Sequence, residues 1–183
     1  MKTAEEAALI TKVLAGHLGA FEQLVQPHER KSLIIAASMV KDSDDAKDVV
    51  QEAFINAFRY LHKFDQKAMF STWLYRIVVN QSLKFLRKQE GTAKASEGYF
   101  QSSDMATSNL GPQNLEQQER RSVIEQVLKR MKPKEALMLQ MHYLLELSVQ
   151  EIEESTGFSK SNIKVLLHRA RQHFHELKDS DNG

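Results

Sequence analysis

The sequence predicts an all-α protein of two small helical domains joined by a flexible linker, and three observations carry that expectation. Gly and Pro are scarce, 7 and 3 in 183 residues, while aliphatic residues are plentiful, a composition that favours helices over turn-rich sheets. Apolar residues recur at helical spacing over 5–15, 20–40, 45–60 and 73–88, then over roughly 116–131, 134–146, 149–156 and 160–177. Between the two sets, "QEGTAKASEGYFQSSDMATSNLGPQN" is rich in Ser, Gly, Ala, Gln and Thr with no sustained period, the composition of a tether. The expected boundaries are 1–90 for a four-helix domain, 91–115 for the linker and 116–183 for a helix-turn-helix domain.

In the first domain, Ala8, Leu9, Lys12 and Val13 are spaced for an amphipathic turn, and "GHLG" ends that helix before a second begins near Ala20. "KDSDD", rich in capping residues, divides the second helix from the third. "LHKFDQKAMFST" breaks the period and reads as an ordered loop, with Ser71 or Thr72 as the N-cap of the fourth helix. In the second domain Pro133 stands where a first-turn proline belongs, and "SVQE" (Ser148 to Glu151) is a capping box.

Composition also narrows the function classes. There is no cysteine, so neither a disulfide nor a thiolate metal site can form. The longest apolar run, Leu33–Ala37, is far below the roughly 18 residues needed to span a bilayer. The N-terminus has no cleavable signal pattern, so a cytoplasmic protein is expected. A net charge of +1 says little, but its distribution says more. Arg76, Lys84, Arg87 and Lys88 lie in a stretch without acid, and so do Lys160, Lys164, Arg169 and Arg171. Two separated basic stripes point to two contacts with a polyanion.

"SVQEIEESTGFSKSNIKVLLHRARQHF" has the shape of a helix-turn-helix. Gly157 supplies the left-handed turn, Phe158 packs the corner, and Ile152, Ile163 and Leu166 fall where the motif needs apolar contacts. Lys164, His168, Arg169 and Arg171 could reach phosphates and base edges in a major groove; a plain hairpin with a solvated basic face is the alternative. Glu153 stands where tight packing usually wants a small residue, and Thr156 where an apolar one is usual. His168, His173 and His175 lack a carboxylate at matching spacing and read as surface residues near DNA rather than metal ligands.

On a helical wheel of the fourth helix, Leu74, Tyr75, Val78, Val79, Leu83, Phe85 and Leu86 form the buried arc. Arg76, Arg87, Asn80, Lys84, Ile77, Lys88 and the only tryptophan, Trp73, take the opposite arc. Two readings stay open for Trp73: a stacking platform for unpaired bases, or a satellite core residue under the preceding loop. In the third helix Val50, Phe54, Ala57 and Phe58 are expected to face inward. Asp48, Val49, Glu52, Ile55, Asn56 and Arg59 are expected to make a mixed outer face suited to a protein partner.

The runs "DAKDVVQEAFINAFRYLHKF" and "FSTWLYRIVVNQSLKFLRK", followed by the terminal "HRAR", resemble an extracytoplasmic-function sigma factor over nearly the whole chain. The resemblance implies that Asp48, Gln51, Glu52, Asn56 and Arg59 dock on the β′ clamp helices of RNA polymerase core. It implies that Lys63, Phe64, Phe70, Ser71 and Thr72 capture a flipped base of the −10 element, with Trp73, Arg76, Asn80 and Lys84 opening and reading that element. A preformed pocket is expected to offset the stacking lost on flipping. The −35 element falls to Lys160, Ser161, Asn162, Lys164, Val165, His168, Arg169 and Arg171. Further implied partners are the β flap, promoter DNA and an anti-sigma protein, with no membrane insertion, no metal and no cofactor.

The chain departs from the family pattern at its recognition helix. Ser161 and Asn162 replace a usual Gly-Thr pair, and Leu166 replaces a usual arginine; with Val165 it could touch thymine methyls or pack in the core. His17 stands where Asp is usual. The expected function is promoter-specific initiation without chemistry of its own. A stand-alone helix-turn-helix regulator and a polymerase-binding adaptor that does not open promoters are the rivals. An enzyme is the weakest class, because helix caps and solvated faces explain the acidic clusters Asp44/Asp45/Asp48 and Glu151/Glu153/Glu154.

Overall fold

The computed structural model describes residues 4–93 and 115–180, and every regular element among them is helical. The first half holds α1 (Ala4–Leu14), α2 (Leu18–Val25), α3 (Glu29–Val40), α4 (Ser43–Tyr60) and α5 (Phe70–Ala93). The second holds α6 (Leu115–Arg130), α7 (Pro133–Leu139), α8 (Val149–Thr156) and α9 (Lys160–Ser180). The expected linker falls outside the described residues, apart from its edges, where α5 runs on to Ala93 and α6 begins at Leu115.

Five helices, not four, build the first half. The single helix expected over 20–40 is broken by Pro27, which sits in a 3-10 turn, Gln26–His28. Proline has no N–H to donate and its ring clashes with the carbonyl four residues back, so α2 and α3 separate there. The break brings His28 inward. Its ring lies 5.6 Å from Phe70 and 6.0 Å from Tyr75, and its Nε2 is 3.6 Å from Glu6 Oε1. Burial lowers the His28 pKa below its ordinary 6.5, and Glu6 opposes that only in part. Burial also pushes the Tyr75 hydroxyl up to about 12.

Local chemistry sets the remaining boundaries. Asp42 caps α4 by accepting the N–H groups of Asp44 and Asp45 at 2.9 and 3.0 Å. α5 starts at Phe70, so Ser71 and Thr72 lie inside its first turn instead of capping it, and the Trp73 N–H already donates to the Met69 carbonyl. Pro133 opens α7, which runs into a π-helical turn, Gln140–Leu144. The capping box at α8 is complete: the Glu151 N–H donates to Ser148 Oγ at 3.2 Å, and the Ser148 N–H donates to Glu151 Oε2 at 2.8 Å. The Ser148 hydroxyl, donating to Glu151 Oε2 at 2.7 Å, and then the Ser148 N–H hold the Glu151 carboxyl below its usual pKa. Gly157 ends α8 in the left-handed region, φ 74°.

Among the described residues, three apolar clusters hold the helices. One joins α1, α2 and the ends of α4 and α5 through Leu24, Leu61, Phe70 and Leu74. A second, inside the C-terminal half, gathers Val127, Met131, Ala136, Leu139 and Ala170. The largest belongs to both halves: α3, α4 and α5 contribute Ile35, Met39, Val50 and Val78, while α7, α8 and α9 contribute Met138, Ile152 and Ile163. α5 packs along α8, and α3 along α7. Each such fully buried side chain contributes about 1.5–3 kcal/mol by leaving water.

Because the folded His28 pKa is lowered, the folded state binds protons less readily than the unfolded chain. Its contribution is present above pH 6.5 and lost as pH falls from there toward the folded value. His28→Gln should therefore narrow the difference in melting temperature between about pH 7.5 and about pH 5.5, measured by circular dichroism.

Candidate nucleic-acid interface

The loop between α4 and α5 is built around aromatic rings. Phe64 and Phe70 meet edge-on at 5.8 Å, and Trp73 lies 5.2 Å from Phe64 and 5.8 Å from Phe70. Phe64, Phe70 and Thr72 are buried, Ser71 and Trp73 half-buried, and Lys63 exposed with its Nζ 5.0 Å from the Tyr60 ring centroid. The cavity beside Phe64 and Phe70 is about 10 Å³, room for one water and not for a base. Of the two readings of Trp73, its packing is that of a satellite core residue, with the rest of its surface left toward solvent.

Beyond that cluster the wheel of α5 holds. Leu74, Tyr75, Val78 and Val79 are buried, while Leu83, Phe85 and Leu86 are half-buried against the shared core. Arg76, Asn80, Lys84, Arg87 and Lys88 are exposed. Trp73 therefore stands at the edge of an exposed strip of cations and one amide. Ile77, expected on the outer arc, is half-buried and packs against both neighbouring clusters.

α4 shows two corrections. Val49, expected outward, is buried, because α4 lies between α3 and α5 and presents a wider apolar arc than one stripe. Phe58, expected inward, is 39% exposed and touches Phe21 edge-on at 5.2 Å, at the margin of the bundle. Asp48, Gln51, Glu52 and Arg59 are exposed, and Ile55 lies among them. Asn56 spends its amide locally, donating to the Glu52 carbonyl at 2.9 Å.

In the helix-turn-helix, Ile152 and Ile163 are fully buried and Phe158 half-buried, as the motif requires. The two unusual residues find local partners. Thr156 donates its hydroxyl to the Ile152 carbonyl at 2.7 Å and accepts the Phe158 N–H at 3.2 Å, so a polar side chain can be buried at the corner. Glu153 accepts the Lys160 N–H at 3.2 Å and pairs with Lys160 Nζ at 3.7 Å, which ties the two helices together. Ser159 caps α9 through the Asn162 N–H at 3.3 Å. That cap was legible in the sequence, as a serine immediately before a helical period.

Lys160, Ser161, Asn162, Lys164, Val165, His168, Arg169 and Arg171 are all exposed. Val165 and Leu166 divide: Val165 is 47% exposed, and Leu166 packs on the shared core. Arg171 lies on the flank of this face, its Nη1 donating to the Tyr143 hydroxyl at 3.2 Å. His173 leaves the surface group altogether, since its Nδ1 is 2.9 Å from Glu135 Oε2 on α7. Sequence spacing concealed both contacts, because each partner lies about thirty or more residues away.

Two family models match the chain, Sigma-70 region 2 over residues 24–92 and Sigma-70, region 4 over residues 121–174. The chain belongs to the sigma-70 family. The sigma chain is 28% identical to the ECF RNA polymerase sigma factor SigW of Bacillus subtilis, across 89% of its own length and 91% of the relative's. It is 29% identical to the ECF RNA polymerase sigma-E factor of Escherichia coli, across 91% of each. Two solved structures share its fold. One is the sigma factor RpoE of Bartonella quintana in complex with the anti-sigma factor NepR, with a TM-score of 0.73, 21% identity, and coverage of 88% of this chain and 98% of that one. The other is CnrH in complex with the cytosolic domain of CnrY, with a TM-score of 0.67, 22% identity, and coverage of 97% and 99%.

His17 is the N-cap residue of α2 and makes no side-chain capping bond, whereas a carboxylate there could accept one.

Packing and exposure make separable predictions for α5. Trp73→Ala should cost about 2 kcal/mol of stability, less than a fully buried aromatic. Asn80→Ala should stay within about 0.5 kcal/mol. Urea unfolding of the full chain checks both.

Proposed function

We propose that this chain is a promoter-specificity subunit of RNA polymerase, an ECF-type sigma factor that performs no chemistry itself. One observation carries the reading: a single chain of the family presents two exposed basic faces, one on each matched region. The α5 face holds Arg76, Asn80 and Lys84 beside Trp73; the α9 face holds Lys160, Lys164, His168 and Arg169. The first is assigned to the −10 element and the second to the −35 element. Cations set the register on phosphates, while Asn80, Asn162 and Val165 offer an amide or a methyl surface to base edges.

Because Phe64 and Phe70 are buried and the cavity beside them is small, base capture requires the aromatic cluster to part. Trp73 supplies the stacking surface and Lys63 a cation at the mouth of the loop. The outer face of α4, with Asp48, Gln51, Glu52 and Arg59, docks on the polymerase clamp, and Asn56 shapes that face through its backbone bond. Region 4 takes the β flap. Two modest DNA contacts on one chain then give combined selectivity through effective concentration. Among the described residues no helix is long and apolar enough to cross a membrane, which accords with work beside cytoplasmic polymerase. One solved structure of this fold is seen with an anti-sigma factor, and such a partner is proposed here too.

Run-off transcription with purified core polymerase and a promoter library tests the reading; a transcript that requires this chain is expected, and none at all would sink it. Glu52→Lys combined with Arg59→Ala should weaken core binding about tenfold, a loss of about 1.4 kcal/mol, with the helical circular dichroism signal intact. Fluorescence anisotropy measures that affinity.

A further inference from the structure

The turn that leads from α7 into α8 carries side chains that the core does not use. Its backbone widens to hydrogen bonds five and six residues long: the Leu145 N–H donates to the Gln140 carbonyl at 2.9 Å, and the Leu147 N–H to the Met141 carbonyl at 3.0 Å. Wide turns of this kind recur at functional sites. Met141 and Leu145 are buried, and between them Tyr143 and Leu144 stand out into solvent, 56% and 57% exposed. Tyr143 is nevertheless held from two sides. The His142 ring meets it edge-on at 4.8 Å, and His142 is itself tied down, its Nδ1 donating to the Leu147 carbonyl at 3.1 Å. From α9, Arg171 Nη1 donates to the Tyr143 hydroxyl at 3.2 Å.

Arg171 continues the cationic stripe of α9, since Lys160, Lys164, His168 and Arg171 recur every three or four residues and so share a face. It stands far along the helix from Lys160, roughly 16 Å at a rise of about 1.5 Å per residue. In helix-turn-helix docking the first residues of the recognition helix meet base edges, and the major groove is only about 12 Å wide. Arg171 therefore falls at the rim of the groove, where the phosphate backbone runs. Its partner on the protein is a hydroxyl, and among the described residues no carboxylate lies in ion-pair range of it. The positive charge is thus left for a phosphate. The bond to Tyr143 spends one guanidinium N–H, and the hydroxyl, being the acceptor there, keeps its own proton to give. Two groups offer donors from one place.

We propose that Tyr143 and Arg171 form a clamp for one backbone phosphate at the edge of the −35 element, with Tyr143 positioning the guanidinium and adding a second donor. This rests on the promoter reading above. A long arginine side chain without that hydroxyl would have to be ordered at every encounter with DNA, a cost that the preformed bond removes. A phosphate contact sets register and strength but carries no base preference, so the clamp anchors α9 without choosing the sequence it reads.

Complexes of the full chain with core polymerase, on a promoter duplex recovered from the run-off library, test the clamp when their affinity is followed across a series of salt concentrations. Each neutralised phosphate contributes about −0.9 to the slope of log affinity against log salt. Arg171→Gln should therefore flatten that slope by about 0.9 and weaken binding about tenfold near 0.1 M salt, leaving the ranking of variant −35 sequences as it is. Tyr143→Phe keeps the ring against His142 and removes only the hydroxyl. It should weaken binding about fivefold with Arg171 present and less than about twofold in the Arg171→Gln background. A neutral methylphosphonate placed in turn at each linkage flanking the −35 element should find one position that abolishes the effect of Arg171→Gln. An unchanged slope in Arg171→Gln overturns the clamp, and so does a Tyr143→Phe effect of equal size with and without Arg171. A reordered ranking of −35 sequences overturns it too, as the mark of base reading. Both side chains are exposed, so folded variants are expected; if Tyr143→Phe does not fold, the Arg171→Gln slope still decides the matter. Normal promoter complexes with none of these effects overturn the clamp alone, whereas no wild-type promoter complex at all overturns the promoter reading and the clamp with it.

Discussion

The seam where α3 and α5 receive α7 and α8 is the contact on which the rest of the molecule depends. It merges what would be two small cores into one cluster of fully buried side chains, among them Ile35, Met39, Val78, Met138 and Ile152. Small domains are hard to stabilise separately, because little of their surface can be buried. Sharing a core relieves that constraint for region 4, whose own cluster is small. It also fixes where the two basic faces stand, since α5 and α8 carry or adjoin them both.

The seam coexists with strips of polar and charged side chains left in water. Arg76, Asn80 and Lys84 occupy the solvent side of α5 because Leu74, Val78 and Val79 occupy the other. The same division on α9 leaves Lys164, His168 and Arg169 outside while Ile163, Leu167 and Ala170 hold the helix down. Exposure on these helices is the complement of packing: residues three or four apart share a face, so the cations line up in water while the apolar residues between them turn to the core. The aromatic cluster of Phe64, Phe70 and Trp73 is the exception, serving the core at its base and solvent at its rim.

Particular elements show how far the sequence could be read. The α8 capping box, Pro133 at the start of α7 and the left-handed Gly157 stand where residue type alone puts them, because each is settled within four or five positions of chain. The break at Pro27 was equally local in cause, but the continuous apolar period on either side of it hid the change of direction. Val49 and Phe58 went astray for another reason. A one-stripe wheel fits a helix with a single neighbour, whereas α4 packs on both α3 and α5, so its apolar arc is wider and shifted.

By itself the sequence determined the helices, most of their caps and the two-faced character of α5 and α9. Backbone hydrogen bonds, helical spacing and charge distribution act over a few residues and are written in order along the chain. Only the tertiary structure decided that Trp73 leans on Phe64 and Phe70, that Arg171 meets Tyr143 and that His173 pairs with Glu135. It alone decided that α7 serves two cores at once. Those outcomes depend on which apolar surfaces can jointly exclude water, and the partners come from segments that periodicity does not relate to one another.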